Sequence, residues 1–140
     1  MNARRFAMIA GIIYLIVGIA GFLPPLLTPP GADAANLRID TLHGNLLGLF
    51  PVNILHNLVH VAIGVWGIAA ARSMGGAVGF SKGLAVLYAV LAIMGLIPGL
   101  NTMFGLVPLH SHDVWLHAGT ALVAAYFGFA RSAAEERSRV

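Results

Sequence analysis

The stretch FPVNILHNLVHVAIGVWG, residues 50–67, sets two histidines and two asparagines inside a run otherwise apolar enough to lie in a lipid bilayer. If the run is a helix, advancing about 100° per residue, Asn53, His56, Asn57 and His60 fall within an arc of about 100°, and Gly64 and Gly67 continue it. The polar groups thus form one stripe on a helix whose other sides are lipid-like. Why a membrane-seeking segment should carry such a stripe is the question that organises the rest of the sequence.

Across its 140 residues the chain is 59% hydrophobic and 9% charged, with a mean hydropathy of +0.86. A soluble domain carries about 25% charged residues, so the composition is that of an integral membrane protein. Hydrophobic runs lie at 6–27, 51–71, 83–100 and 114–130, each near the length that crosses about 30 Å of hydrocarbon. Lipid tolerates only helices or closed barrels, and long runs without alternation rule out the barrel. The expectation is an all-α, single-domain, four-helix transmembrane bundle over residues 1–140. The chain has no cysteine, which excludes disulfides, thiolate metal sites, iron–sulfur clusters and thiol catalysis.

Charge placement sets direction. Arg4 and Arg5 precede the first run, Arg72 and Lys82 flank the second loop, and Arg131, Arg137 and Arg139 follow the last run, while only Arg38 falls on the opposite side. That asymmetry predicts a multi-pass membrane protein with both termini and the middle loop cytoplasmic and the first and third loops outside. The net charge of +3 is accounted for in this way, and no nucleic-acid partner is expected. The bilayer is the first partner, with room for a homo-oligomer or a second membrane protein. The first run also has features of a secretory signal, with ADA at 32–34 as a cleavage-site mimic. Its apolar core is too long, and the intervening PPLLTPP too stiff, for cleavage to be expected. The polar tail SAAEERSRV reads as a frayed helix end.

The last run has a matching stripe: Asp113, His117, Thr120, Ala124 and Gly128 fall within about 80°. The first shows Gly11, Tyr14, Gly18 and Gly21 along one side, and the third Ser81, Ala85, Tyr88, Ala92, Gly95 and Gly99. Small residues aligned in this way let helices approach closely in lipid. The four stripes should face one another. Counting from Pro51, His56 lies about 8 Å and His60 about 14 Å below the outer boundary, and His117 lies about one turn below it. His43, His110 and His112 fall in the outer loops, with His43 in TLHGNLLGLF, where Leu42, Leu46 and Leu49 suggest a short interfacial helix. All six histidines of the chain are therefore expected in its outer half.

His56 and His60, spaced i and i+4, can reach one ion, and His117 with Asp113 supplies further donors from a facing helix. Imidazole with carboxylate suits Zn, Cu or Fe, and Asn53 and Asn57 would orient the ring nitrogens. Haem is a second candidate, with His56 or His60 opposite His117 as axial ligands and Gly64 or Gly67 making room for the porphyrin. HNLVH has the spacing of the zinc-protease motif, but Asn57 stands where the general-base Glu is needed, and an amide cannot take a proton from a metal-bound water. A hydrolase with Asp113 as base and a proton path along His60 and Tyr88 have weaker support, and no catalytic residue is assigned. The plainer alternative is a structural or assembly scaffold in which the His/Asn stripe is interhelical hydrogen-bond glue.

Phe50, Pro51, Asn53, His56, Asn57, His60, Gly64 and Gly67, with His117 opening the last run, form a pattern that resembles a family of small bacterial four-helix membrane proteins catalogued as a domain of unknown function. The likeness extends over most of the chain. The resemblance implies topology and assigns no catalytic role, substrate or ligand.

Overall fold

Asn2, Asn53 and Ser73 each stand immediately before a helix and accept a hydrogen bond from a backbone N–H in its first turn, those of Arg5, His56 and Gly76 respectively. Such caps satisfy donors that a helix start leaves free, and they fix where three of the helices begin. The computed structural model describes residues 1–31, 34 and 36–131. It is mainly helical: α1 (Ala3–Ala20), α2 (Ile54–Ala70), α3 (Met74–Leu96) and α4 (His112–Ala125), the last continuing into a π-helical turn, Tyr126–Ala130. The cleavage-site mimic includes Ala32 and Asp33, and the tail lies at 132–140; both lie outside the described residues.

Two helices, α1 and α3, are long and apolar enough to cross a membrane, whereas α2 is apolar but shorter. The boundaries depart from the expected runs for local reasons. Ser73 caps α3, so the helix starts nine residues before the expected 83, and residues 74–82, expected in a loop, are helical. Lys82 is thus part of α3, its ammonium 5.3 Å from the centre of the Phe129 ring. Ile97 precedes Pro98 and takes an extended conformation, which ends α3 short of the expected 100. The expected second run gives up its first residues to a strand and to the cap Asn53.

The all-α expectation is corrected by a small antiparallel sheet: β1 (Leu27–Thr28), β2 (Gly44–Leu46) and β3 (Phe50–Val52), in that order, with Leu27 opposite Leu46 and Leu46 opposite Phe50. The interfacial helix expected at Leu42, Leu46 and Leu49 is absent. Leu42 and Leu47 have φ of 56° and 53°, and Gly48 has 75°, left-handed values that no right-handed helix contains.

α1 packs chiefly on α2 and α4 chiefly on α3, with α3 also touching both α1 and α2. The α1–α2 seam is built on glycine. A Cβ on Gly11 would lie 2.7 Å from the Ile68 nitrogen, and one on Gly64 would lie 2.6 Å from the Leu15 nitrogen. The apolar core gathers at one end of the bundle, around Phe6, Ala77, Phe80, Leu84, Ala124 and Phe127. There Phe6 stacks on Phe127 with ring centres 4.7 Å apart. Apart from Ser81, which donates to the Ala77 carbonyl within α3, the buried polar residues collect towards the other end, where the sheet and the loop after α3 close over them. Outward faces stay apolar on every helix, as Ile12, Ile16, Leu58, Val65, Val86, Ile93 and Leu122 show.

Candidate metal centre

The cap Asn53 sets the rotation of α2, and the stripe behind it points inward: His56, Asn57, His60, Gly64 and Gly67 are all buried. α4 begins at His112 and carries Asp113 in its first turn, where the helix dipole favours a carboxylate; one turn on, His117 points the same way. Asp113 and His117 each keep only 2% of their surface exposed. Across the interface the His56 Nδ1 lies 3.8 Å from an Asp113 carboxylate oxygen. One ligand atom from each of His56, Asp113 and His117 lies within 4.8 Å of the others.

His60 stands beside this group, outside its 4.8 Å set, with its ring centre 4.5 Å from that of His56. The rings of His56 and His117 are 6.3 Å apart. Two tyrosines complete a circuit of rings: Tyr14 lies 5.4 Å from His60, Tyr88 lies 4.9 Å edge-on to His117, and the tyrosines lie 5.6 Å from each other. Tyr14 is within hydrogen-bonding reach of Tyr88 and Thr120. In the sequence Tyr14 and Tyr88 stand on the small-residue stripes of the first and third runs, Tyr88 also beside His60 in the weakly supported proton path, and Thr120 stands on the polar stripe of the last run.

Hydrogen bonds distinguish the asparagines from the histidines. The Asn53 amide donates to the carbonyls of Ile39 and Leu106, at 2.8 and 2.7 Å, and Asn57 donates to the Gly21 carbonyl at 2.7 Å. Neither donates to an imidazole, because both amides are needed by backbone carbonyls that the loops and the end of α1 leave free. The His56 ring lies beside the backbone of Pro51, and its Nδ1, turned towards Asp113, is buried without a hydrogen-bond partner; an imidazole nitrogen with a free lone pair is what a metal binds. Nδ1 of His60, Nδ1 of His117 and Oδ2 of Asp113 are likewise buried without a hydrogen-bond partner, as are Oδ1 of Asn57 and, away from the group, Nε2 of His110.

The space expected for a porphyrin at Gly64 and Gly67 is filled by α1. A Cβ on Gly67 would lie 2.8 Å from the Gly11 Cα. Asp113 also stands among the ligand atoms, not apart from them as a general base would. Of the histidines expected in loops, His112 is instead the first residue of α4 and packs edge-on against Phe50 at 6.4 Å. His43 and His110 are close enough to repel each other when charged, and burial lowers the pKa of each below the usual imidazole value.

Two imidazoles and one carboxylate within reach of one another could hold a metal ion and would leave a fourth tetrahedral position open, the arrangement of catalytic or ligand-exchanging centres. No curated protein and no solved structure matches the chain. A family model spans nearly all of the part that carries the stripes, from residue 4 to residue 130, and the chain belongs to that family, described as a domain of unknown function (DUF4383).

Proposed function

We propose that this protein is a four-span membrane protein, both termini cytoplasmic, that holds one transition-metal ion, Zn, Cu or Fe, between His56, His117 and Asp113. The observation that carries the metal reading is that the donor atoms are buried, mutually close and without hydrogen-bond partners. A buried polar atom left unpaired costs about 1–3 kcal/mol, and an ion would use all three lone pairs at once. Tetrahedral donors about 2.0–2.1 Å from zinc lie roughly 3.4 Å apart, so modest side-chain turns close the set. His60, beside the set, serves whatever takes the open position.

The glue reading accounts for a different part of the stripe. It requires hydrogen bonds that are made, and Asn53 and Asn57 make them. The imidazoles do not bond across the interface, so glue explains the asparagines and leaves the histidines without a role. The membrane reading is supported by apolar residues exposed on every helix face, more apolar surface than a soluble monomer presents in contiguous patches.

Metal analysis of the detergent-purified protein after equilibration with zinc tests the centre. The expected result is about one ion per chain in the parent and a loss of at least about tenfold in affinity in His117→Leu, with helix content unchanged. Equal metal content in the parent and in a folded His117→Leu would overturn the reading, and a Soret band in the parent would replace the ion by haem.

A further inference from the structure

Below the outer sheet, α1 and α4 diverge. They meet at the Phe6–Phe127 stack, and above it a cleft of about 560 Å³ opens between them, a volume in the range of small-molecule sites. Its sides are aliphatic, with Ile9, Ile13 and Val17 from α1 and Leu116 and Val123 from α4. Its polar end is formed by His60, Asp113 and His117 together with Tyr14, Tyr88 and Thr120. The three ionisable groups there are more than nine-tenths buried, and each has an unpartnered polar atom.

Three features define an occupant. The rim is apolar: Ile9, Ile13 and Leu116 are 48%, 54% and 47% exposed, so the cleft opens where the protein meets lipid, and its ligand arrives from the bilayer. The cleft runs along α1 from Val17 to Phe6, about 16 Å at 1.5 Å per residue, the reach of most of one long acyl chain. Finally, a divalent ion held by neutral imidazoles and one carboxylate keeps a single positive charge, which a low-dielectric site disfavours unless an anion pairs with it.

We propose that the cleft binds a long-chain monocarboxylate, a fatty acid taken from the bilayer. Its carboxylate occupies the open position of the ion at His56, His117 and Asp113, and its chain lies between α1 and α4. The inference rests on the metal reading above. Binding makes no covalent bond: the carboxylate replaces whatever ligand holds the open position. Hydroxyls of Tyr14 and Thr120 stand ready to donate to the second carboxylate oxygen, and His60 flanks the head group.

The experiment is equilibrium binding of radiolabelled palmitate to the full chain in maltoside micelles, with metal content measured on the same samples. With zinc loaded, about one palmitate per chain should bind, hexadecanol should compete at least about tenfold less well, and a chelator should release the label. Ile13→Trp, which fills the cleft away from the ion, should keep its zinc and lose palmitate by at least about tenfold. Leu116→Trp serves the same purpose from α4 should the first variant fail to fold. Zinc bound without palmitate overturns the fatty-acid inference and leaves the metal centre standing. So does palmitate that binds as well without zinc, as well in both tryptophan variants, or no better than hexadecanol. A parent that takes up no zinc overturns the metal reading itself and the inference with it.

Discussion

Asn53 holds three parts of the chain at once. Its side-chain oxygen caps α2 through the His56 N–H, and its amide bridges the carbonyls of Ile39 and Leu106 from the two outer loops. Asn53→Ala removes a cap, which costs about 1 kcal/mol, and leaves two carbonyls without their donor, so a total loss of about 2–4 kcal/mol is expected on denaturant titration in detergent. Asn53→Asp separates the two roles. It keeps the capping oxygen but turns an acceptor towards both carbonyls, and should destabilise at least as much as Ala; an Asp variant as stable as the parent would leave only the cap as Asn53's contribution. The sequence revealed that Asn53, His56, Asn57 and His60 share a face, because a 100° step fixes faces. It could not reveal that the asparagines serve backbone carbonyls, because those partners come from loops and a helix end whose path no periodicity encodes.

Among the elements, the α1–α2 pair depends on backbone approaching backbone at glycine. Gly11→Ala places a methyl group 2.7 and 2.8 Å from the Ile68 nitrogen and the Gly64 oxygen, atoms that cannot turn aside, and the overpacking should destabilise the bundle by about 1–3 kcal/mol. Gly79→Ala in α3, where a Cβ would meet nothing within 4 Å, should instead stabilise by about 0.5–1 kcal/mol through helix propensity. Resistance to sodium dodecyl sulfate unfolding measures both, and a shift of the same sign in the two would refute the close-approach account. The glycine seam was legible because small residues at helical spacing leave a direct mark in the sequence. The outer sheet was not: its left-handed residues Leu42 and Leu47 carry side chains that ordinarily avoid that conformation, so nothing local announced the turns. This outer cover should also be acid-sensitive. Burial lowers the pKa of His43 and His110, so the folded state prefers both neutral. Above the unfolded imidazole pKa of about 6.5 they cost nothing, and stability should fall as the pH drops below it, because the unfolded chain takes up protons first. Protection factors for amide exchange across residues 43–52, taken relative to the intrinsic rate at each pH, should fall below about pH 6.5, and His110→Gln should weaken that fall; protection factors unchanged between about pH 7.5 and about pH 5.5 would contradict it.

Taken as a whole, the molecule is polarised along its helices, and its two ends differ in kind. At the end where α1 begins, Arg4 donates to the Ala71 carbonyl, Arg72 follows α2, and Lys82 lies over Phe129. At the other end Arg38 is the lone described cation, its backbone N–H donating to the Gly105 carbonyl, and the histidines and Asp113 collect there. The sequence carried this polarity because charges accumulate at chain positions that can be counted. The parting of α1 and α4 was hidden, since periodicity tells which face of a helix is buried and not which neighbour buries it. Polarity and cleft together make topology the decisive whole-molecule measurement. Cationic residues stay on the cytoplasmic side during insertion, so a phosphatase fused after Val140 should be inactive and a fluorescent protein there should glow, whereas a phosphatase inserted beside Ala34 should be active. The reverse pattern would move the polar end of the cleft to the cytoplasmic leaflet. Any ion would then come from the cytoplasm and any acyl ligand from the inner leaflet, while the centre itself, defined by His56, His117 and Asp113, would stay as it is. Orientation therefore decides from which side the proposed centre would draw an ion and a ligand, and a pair of fusions reads it without either being known.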